Sequence, residues 1–213
     1  MMTTKKATSA GLNSIDLFKS AVFEVCPDFQ TSNANRDLLN NLYRYCNKQP
    51  GELDPSKGIL LWGSIGTGKS TLLKILNKYD YKINPERHVQ VSGRWSYVSG
   101  GFKIIDCATV ANIYAKNGID GLDYYTYNNG EPITVGFDEL GREPLNSKSF
   151  GTEMNVMQYI LQIRYGYKDF CKTHITTNLN PDEGIAKLYD KYVADRVKEM
   201  FNIINLNGKS WRK

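Results

Sequence analysis

The sequence has few of the residues from which metal centres and disulfide frameworks are built. It has four cysteines, which are far apart and include no C-x-x-C pair, and only two histidines. Cysteine-based zinc sites and disulfide-rich small domains use closely spaced ligands. The spacing therefore argues against both, and it favours free, buried thiols at Cys26, Cys46, Cys107 and Cys171.

Long apolar runs are also missing. No stretch of the chain approaches the roughly eighteen apolar residues that span a bilayer, and the N-terminal MMTTKKATSAGLN lacks the apolar centre of a signal peptide. We therefore expect a cytoplasmic protein with no membrane segment.

Charge is only slightly unbalanced. The formal net charge is +5, and a content of 23% charged and 41% hydrophobic residues is ordinary for a globular protein. The excess is compatible with an anionic partner such as a nucleotide or a nucleic acid, and equally with an ordinary solvated surface. At 213 residues, the chain can bury one full core with little left over for a second domain.

The most informative stretch is GILLWGSIGTGKSTLLKILN, from Gly58 to Asn77. It contains the pattern G-x-x-x-x-G-K-[ST], a phosphate-binding loop whose glycines let successive backbone N–H groups point at a phosphate while the following helix adds its positive end. In such a loop, Lys69 reaches the β- and γ-phosphates of ATP and Ser70 is placed to ligate Mg²⁺. The predicted nucleotide-binding residues are Gly63, Ser64, Ile65, Gly66, Thr67, Gly68, Lys69, Ser70 and Thr71.

The context of this loop agrees with that prediction. Ile59 to Trp62 is typical of a short buried strand, and Leu72, Leu73, Ile75 and Leu76 provide an apolar helix face. The alternative is a glycine turn that only joins a strand to a helix.

A second site element follows about seventy residues later. Ile133 to Glu139, ITVGFDE, predicts a buried parallel strand that presents two carboxylates at its C-terminal end. We expect Asp138 to hold Mg²⁺ and Glu139 to act as the base that orients and deprotonates the attacking water. Taken alone, an Asp-Glu pair could equally cap a helix.

Lys172 to Thr177, KTHITT, predicts another strand, which ends at Asn178. An amide at this position can donate to the γ-phosphate or position the water, although an Asn after a strand is often only a turn former. His174, in the middle of the strand, is expected to be a core residue.

The remaining elements are predicted as follows. Residues 1–50 form a short helical segment packed on the core, with helices from Ser14 and from Ser32 or Asn33, and residues 51–213 form the main domain. Strands are expected at 102–105 and 202–206, and Asp106 can cap a helix that runs through Lys116. A helix is expected from Thr152 that Arg164 closes, and a further helical region from Asn180 to about Met200.

For two aromatic segments, the sequence leaves more than one interpretation. His88 to Val98 is compatible with a surface hairpin or an irregular insertion, and its Arg94, Trp95 and Tyr97 could stack on nucleic acid. Tyr124, Tyr125 and Tyr127 are expected in a loop, either as a binding edge or packed on the neighbouring helix.

In this order, GSIGTGKST, FDELGRE, ITTNLN, ADRV and LNGKSWR resemble the DnaC/IstB branch of the AAA+ ATPases over roughly residues 50 to 213. The resemblance implies an α/β P-loop NTPase: a three-layer sandwich with a mainly parallel five-stranded sheet. It also implies that Lys69, Ser70, Asp138 and Glu139 bind ATP with Mg²⁺ and catalyse its hydrolysis, and that Asn178 senses the γ-phosphate. About thirty-five residues follow Asn178, so a separate helical lid is expected to be absent or minimal.

The resemblance further implies an arginine finger. Arg196 is the best match to the family's D-R-[LMV] context, and such a residue generally acts on ATP held by a neighbouring subunit. An ATP-bound homo-oligomer is therefore expected. The alternative for Arg196 is a surface arginine that pairs with Asp195 or Glu199. The terminal Gly208, Ser210 and Arg212 also match a family trait, G-x-S-x-R.

The function expected from the resemblance is an ATPase acting in DNA replication as a DnaC-like loader of a replicative helicase, stimulated by oligomerisation or DNA. Its expected partners are ATP or ADP, single-stranded DNA and the helicase. One alternative is an IstB-like transposition ATPase whose partner is a transposase. Others are a small-molecule phosphotransferase, or a nucleotide-gated binding module, against which Glu139 argues.

Overall fold

The computed structural model describes residues 13–91 and 94–206. Its central sheet is formed by β1 (Gly58–Trp62), β4 (Lys103–Asp106), β5 (Val135–Leu140), β8 (Thr173–Thr177) and β9 (Phe201–Asn205). The strands lie in the order β4-β5-β8-β1-β9, and all four neighbouring pairs are parallel. The predicted parallel five-stranded sheet is confirmed.

Helices cover both faces of this sheet. They are α1 (Ser14–Val25), α2 (Asn33–Cys46), α3 (Lys69–Ile83), α4 (Cys107–Asn117), α5 (Val156–Gly166), α6 (Glu183–Tyr189) and α7 (Lys191–Met200). None of the helices in the described part of the chain is both long and apolar enough to cross a membrane.

Two apolar clusters lie on opposite faces of the sheet. Ile59 and Leu61 of β1 belong to a cluster with α1, α2 and α3, whereas Leu60 belongs to the cluster with α4, α5, α6 and α7. Successive side chains of a strand point to opposite faces, so one strand supplies both clusters. The result is the predicted three-layer sandwich, with β1 buried on both sides.

The helices α1 and α2 pack against the same face as α3. Phe18 of α1 and Leu42 of α2 share a buried cluster with Leu73 and Leu76 of α3, and the Phe18 and Tyr79 rings meet edge to face at 5.0 Å. The proposed division of the chain at residue 50 stays a prediction.

The prediction of a helix from Thr152 is wrong at its start. Ser147–Ser149 and Thr152–Met154 form an antiparallel pair, β6 and β7, and α5 begins only at Val156. Its cap is Asn155, whose side-chain oxygen accepts a hydrogen bond from the N–H of Gln158 at 3.1 Å. Arg164 lies in the last turn of this helix, which ends at Gly166, and its side chain is buried.

The predicted helical region from Asn180 to Met200 consists of two helices. Asp190 separates α6 from α7 with a left-handed φ of 79°, and its side chain accepts a bond from the N–H of Val193 at 2.9 Å. Both helices contribute to the apolar core through Ile185, Tyr189 and Val197. Within the described residues, neither of them forms a separate lid.

The two aromatic segments whose structure the sequence left undecided both form regular elements. β2 (Glu86–Val91) and β3 (Arg94–Ser99) form an antiparallel hairpin, while Ser92, Gly93 and the side chains of the hairpin lie outside the described part. The proposed stacking of Arg94, Trp95 and Tyr97 on nucleic acid therefore stays a prediction.

The tyrosine segment is a 3-10 helix over Ile119–Tyr125 followed by a short turn. Tyr125 is buried against Phe137, with ring centroids 6.2 Å apart, whereas Tyr124 and Tyr127 are exposed. Residues 1–12 and the terminal Gly208, Ser210 and Arg212 lie outside the described part.

Candidate functional site

The phosphate-binding loop joins β1 to α3 at the carboxyl edge of the sheet. Gly63, Gly66 and Gly68 all have positive φ, of 139°, 82° and 89°, which residues with a Cβ rarely adopt. A methyl group added at Gly68 would meet no heavy atom within 4 Å, so the backbone here borders open space. Such a loop at a helix N-terminus is suited to hold an anion.

Lys69 is the first residue of α3 and is only 8% exposed. Its Nζ donates to the carbonyl oxygens of Gly63, at 2.9 Å, and Ser64, at 2.6 Å. Thr67 closes the same loop by donating from Oγ1 to Ser64 at 2.9 Å. The ammonium group is therefore already held over the loop, where phosphate oxygens could replace the carbonyls.

Ser70 and Asp138 meet across the sheet. Ser70 Oγ donates to Asp138 Oδ1 at 2.8 Å, although the two residues are 68 positions apart in the chain. They meet because β1 and β5 are parallel, so that both carboxyl ends lie at one edge. A hydroxyl and a carboxylate oxygen are ligands that suit Mg²⁺, so these residues fit the predicted metal.

Glu139 follows Asp138 at a bulge in β5. Its φ is +61°, a left-handed conformation that is uncommon for a non-glycine residue. The side chain is 44% exposed, and its Oε1 accepts a hydrogen bond from Arg142 Nη1 at 3.2 Å. The carboxylate thus lies at the carboxyl edge of the sheet and is open to solvent, and its predicted role as a water-activating base stays a prediction.

Asn178 comes directly after β8, whose last residue, Thr177, is aligned with Trp62 on one side and Leu140 on the other. Asn178 is exposed and lies at the same edge, between the start of the phosphate loop and the end of β5. The fold therefore brings together Lys69, Ser70, Asp138, Glu139 and Asn178.

Arg196 is not brought to this edge within the chain. It lies on α7, and its guanidinium stacks on the Tyr165 ring, with 4.7 Å between the Cζ atom and the ring centroid. α7 ends directly before Phe201, which is aligned with Gly58 at the amino end of β1, opposite the phosphate loop. The arginine finger that the sequence predicts at Arg196 stays a prediction.

Sequence reasoning missed two residues that contact the predicted site. Arg142 pairs with Glu139, and the buried Thr176 hydroxyl contacts both Asp138 and Glu139. Thr176 lies in the segment ITTNLN, so the motif pointed to its position but only the strand register shows its contacts.

A buried pair supports the segment after Glu139. Glu143 accepts a hydrogen bond from the N–H of Gly141 at 2.8 Å and another from the Tyr189 hydroxyl. Burial and the neighbouring Glu143 raise the pKa of Tyr189, and burial raises the pKa of the nearby Cys107 thiol well above its usual value. Neither group therefore supplies an anionic nucleophile to the site at neutral pH.

No protein-family model matches the sequence, and no curated protein matches it either. Solved structures, in contrast, do match this chain. A protein from Streptococcus pyogenes serotype M3 described as a primosome component is 20% identical, with a TM-score of 0.59 over 91% of this chain and 99% of its own. The DnaC helicase loader is 17% identical, with a TM-score of 0.58 over 85% of this chain and 95% of its own.

AMPPCP-bound DnaA from Aquifex aeolicus is 14% identical, with a TM-score of 0.53 over 84% of this chain and 48% of its own. At these identities the likeness is one of fold. The fold is that of the AAA+ P-loop ATPases. The likeness in fold to the DnaC helicase loader agrees with the resemblance that the order of the motifs predicts.

Proposed function

We propose that this chain binds ATP with Mg²⁺ at the carboxyl edge of its sheet and hydrolyses it. The observation that carries the proposal is the hydrogen bond between Ser70 and Asp138, beside a lysine held over a phosphate-binding loop. Bound Mg²⁺ would neutralise charge on the phosphate oxygens. Lys69 would neutralise further charge, Glu139 would accept the proton of the attacking water, and Asn178 would contact the γ-phosphate.

We propose further that hydrolysis requires an ATP-bound homo-oligomer. Arg196 lies on the face of α7 that contacts Tyr165 of α5, away from the nucleotide edge of its own chain. An arginine supplied in trans would stabilise the charge that develops on the γ-phosphoryl group, an effect of about 10³ to 10⁵ in rate. ATP would then lie at a boundary between two copies of the chain.

We propose that this chain acts in DNA replication, where it would load a replicative helicase onto single-stranded DNA. The support is the likeness in fold to the DnaC helicase loader, which extends over nearly the whole of both chains. A hexameric replicative helicase that forms an ATP-dependent complex with the purified chain would support this role. A complex with a transposase on duplex DNA, and none with the helicase, would favour a transposition ATPase instead.

The first experiment measures phosphate release by the purified chain, alone and with single-stranded or duplex DNA, beside Lys69→Ala and Arg196→Ala. Lys74→Ala and Lys191→Ala are matched controls, because these exposed lysines lie on α3 and α7 respectively. We expect DNA to stimulate hydrolysis, the two test variants to abolish it and the two controls to leave it unchanged. A phosphorylated metabolite in place of free phosphate would identify a phosphotransferase.

Glu139→Gln separates hydrolysis from binding. The amide keeps the size of the side chain but cannot accept the proton, so hydrolysis should fall by about 10² to 10⁴ while ATP stays bound. Unchanged turnover in this variant would remove Glu139 from the mechanism.

A further inference from the structure

The Thr176 hydroxyl lies between the two acidic residues of the site. Thr176 is in β8 and only 1% exposed. Its Oγ1 accepts a hydrogen bond from the backbone N–H of Glu139 at 3.0 Å and donates to Asp138 Oδ1. A single buried side chain therefore contacts both residues that follow the apolar part of β5.

The contact with Glu139 occurs where the strand pairing is irregular. Phe137 is aligned with Ile175 and Leu140 with Thr177, so β5 has one residue more than β8 in this interval. Such a β-bulge leaves an N–H group outside the regular ladder and redirects a side chain. The Thr176 hydroxyl accepts the hydrogen bond from that N–H group, in the residue whose φ is +61°.

The direction of the second bond follows from the first. The Glu139 N–H can only donate, so Thr176 Oγ1 accepts there and its own hydrogen is available for Asp138. Ser70 donates to the same oxygen, Asp138 Oδ1. Both of these hydrogen bonds to the Asp138 carboxylate end on Oδ1, and neither of them uses Oδ2.

We infer that Thr176 is a positioning residue, whose hydroxyl holds the Asp138 carboxylate and the Glu139 backbone in the arrangement that Mg²⁺ and the attacking water require. The inference rests on the proposed ATP hydrolysis and adds a residue to it. Thr176 touches neither nucleotide nor water in this role; it acts through the two acids.

The test compares three variants of the full chain. Thr176→Val removes the hydroxyl and keeps the branched shape, and Thr176→Ser keeps the hydroxyl. Thr173→Val is the matched control: Thr173 is in the same strand and buried, and its hydroxyl accepts a bond from Arg164 Nε at 2.7 Å, but it lies at the opposite end of β8. Thr176→Val loses both hydrogen bonds of its hydroxyl and Thr173→Val loses the bond from Arg164, so thermal unfolding is measured for each variant to record its general destabilisation.

The main readout is the affinity for a fluorescent ATP analogue with excess EDTA and with Mg²⁺, and the second is kcat for ATP. We expect Thr176→Val to bind the analogue in EDTA as the wild type does, to lose about tenfold or more of the affinity gained from Mg²⁺, and to lower kcat by a similar factor. Thr176→Ser should keep both values within about threefold, and Thr173→Val should keep the Mg²⁺ effect.

Equal Mg²⁺ effects in Thr176→Val and Thr173→Val would overturn the inference and leave Thr176 with a structural role only. A wild-type chain that gains no affinity from Mg²⁺ and releases no phosphate would instead overturn the proposed function, and this inference with it. The two failures are distinguishable because the second appears without any substitution.

Discussion

Arg142 Nη1 donates to Glu139 Oε1 at 3.2 Å, so the predicted catalytic base is held in an ion pair with a residue three positions further along the chain. Both side chains are substantially exposed, at 60% for Arg142 and 44% for Glu139. Exposed pairs of this kind contribute about 0.2 to 1 kcal/mol. The pair can therefore restrain Glu139 but cannot prevent it from turning toward a water molecule.

Arg142→Gln should raise basal ATP hydrolysis by up to about fivefold, because Glu139 no longer has to leave an ion pair before it contacts water. Steady-state phosphate release without DNA is the measurement. Lys148→Gln is the control, since Lys148 is an exposed cation in the same segment that pairs with Glu153 instead. A strong loss of activity in Arg142→Gln would show that Arg142 takes part in catalysis rather than restraining the base.

Arg196 offers a test that does not depend on the absolute rate. Arg196→Ala keeps its own nucleotide site but lacks the proposed finger, whereas Lys69→Ala keeps the finger but lacks the site. If the finger acts in trans, a mixture of these two inactive variants should regain part of the wild-type hydrolysis, because some boundaries combine one intact half from each. The measurement is phosphate release as a function of the mixing ratio.

A mixture that is as inactive as its components would contradict a trans finger at Arg196. Assembly is checked separately, by light scattering of each variant with an ATP analogue. This check ensures that a loss of assembly is not mistaken for a loss of the finger.

Arg164 should be among the most important residues for stability. It is 1% exposed, and its guanidinium donates to the Thr173 hydroxyl and to the carbonyl oxygens of Tyr125, Ile133 and Lys172, at 2.7 to 3.1 Å. Arg164→Ala should lower the free energy of unfolding by about 3 to 5 kcal/mol, since it leaves buried acceptors without donors.

Urea denaturation measures this effect. Arg164→Lys keeps the charge but cannot form the same set of bonds, so it should fall between the wild type and the alanine variant. Lys168→Ala, in the more exposed segment that follows α5, is the control. A loss of less than about 1 kcal/mol in Arg164→Ala would mean that these hydrogen bonds contribute little.

His174 predicts a pH dependence of stability. Its Nδ1 accepts a hydrogen bond from the N–H of Ile59 at 3.1 Å, and burial, with smaller effects from Lys172 and Arg164, lowers its pKa to about 3. In the unfolded chain, His174 therefore binds a proton as the pH falls through about 6.5, whereas in the folded chain it stays neutral down to about pH 3. The free energy of unfolding consequently falls as the pH falls from about 6.5 toward 3. Between pH 7.5 and 5.5 this amounts to about 1.4 kcal/mol.

Urea denaturation at these two pH values tests the effect, with His174→Asn as the comparison. Asparagine keeps a hydrogen-bond acceptor but does not titrate, so the variant should lack the additional loss at pH 5.5. Because His88 is present in both proteins, its contribution cancels. Equal losses in the wild type and the variant would contradict a buried neutral His174.

Much of the site could be predicted because its chemistry is local. The glycines, Lys69 and Ser70 occur within eight residues, and glycine adopts the positive φ values that the loop requires far more readily than other residues do. Asp138, Glu139 and Asn178 could be predicted because an apolar run ending in polar residues indicates the carboxyl end of a buried strand. The three layers and the parallel sheet could be predicted because strands and helices alternate along the chain.

Other features had no local signal. Thr152 to Met154 is a strand because it pairs with Ser147 to Ser149, and Arg164 can be buried because three other segments, at Tyr125, Ile133 and Lys172 to Thr173, supply acceptors for it. The one-residue bulge before Leu140, the Thr176 contacts and the ion pair of Glu139 depend on strand register, which only the folded sheet defines.

The sequence by itself therefore determined the class of the sheet, the phosphate loop and the residues that meet at its carboxyl edge, since each depends on short-range pattern and backbone preference. Only the tertiary structure decided how those residues are held: Asp138 by two hydroxyls, Glu139 at a left-handed bulge, and Arg196 on a helix face that leads away from the site. These contacts join residues far apart in the chain, and packing alone sets which of them meet.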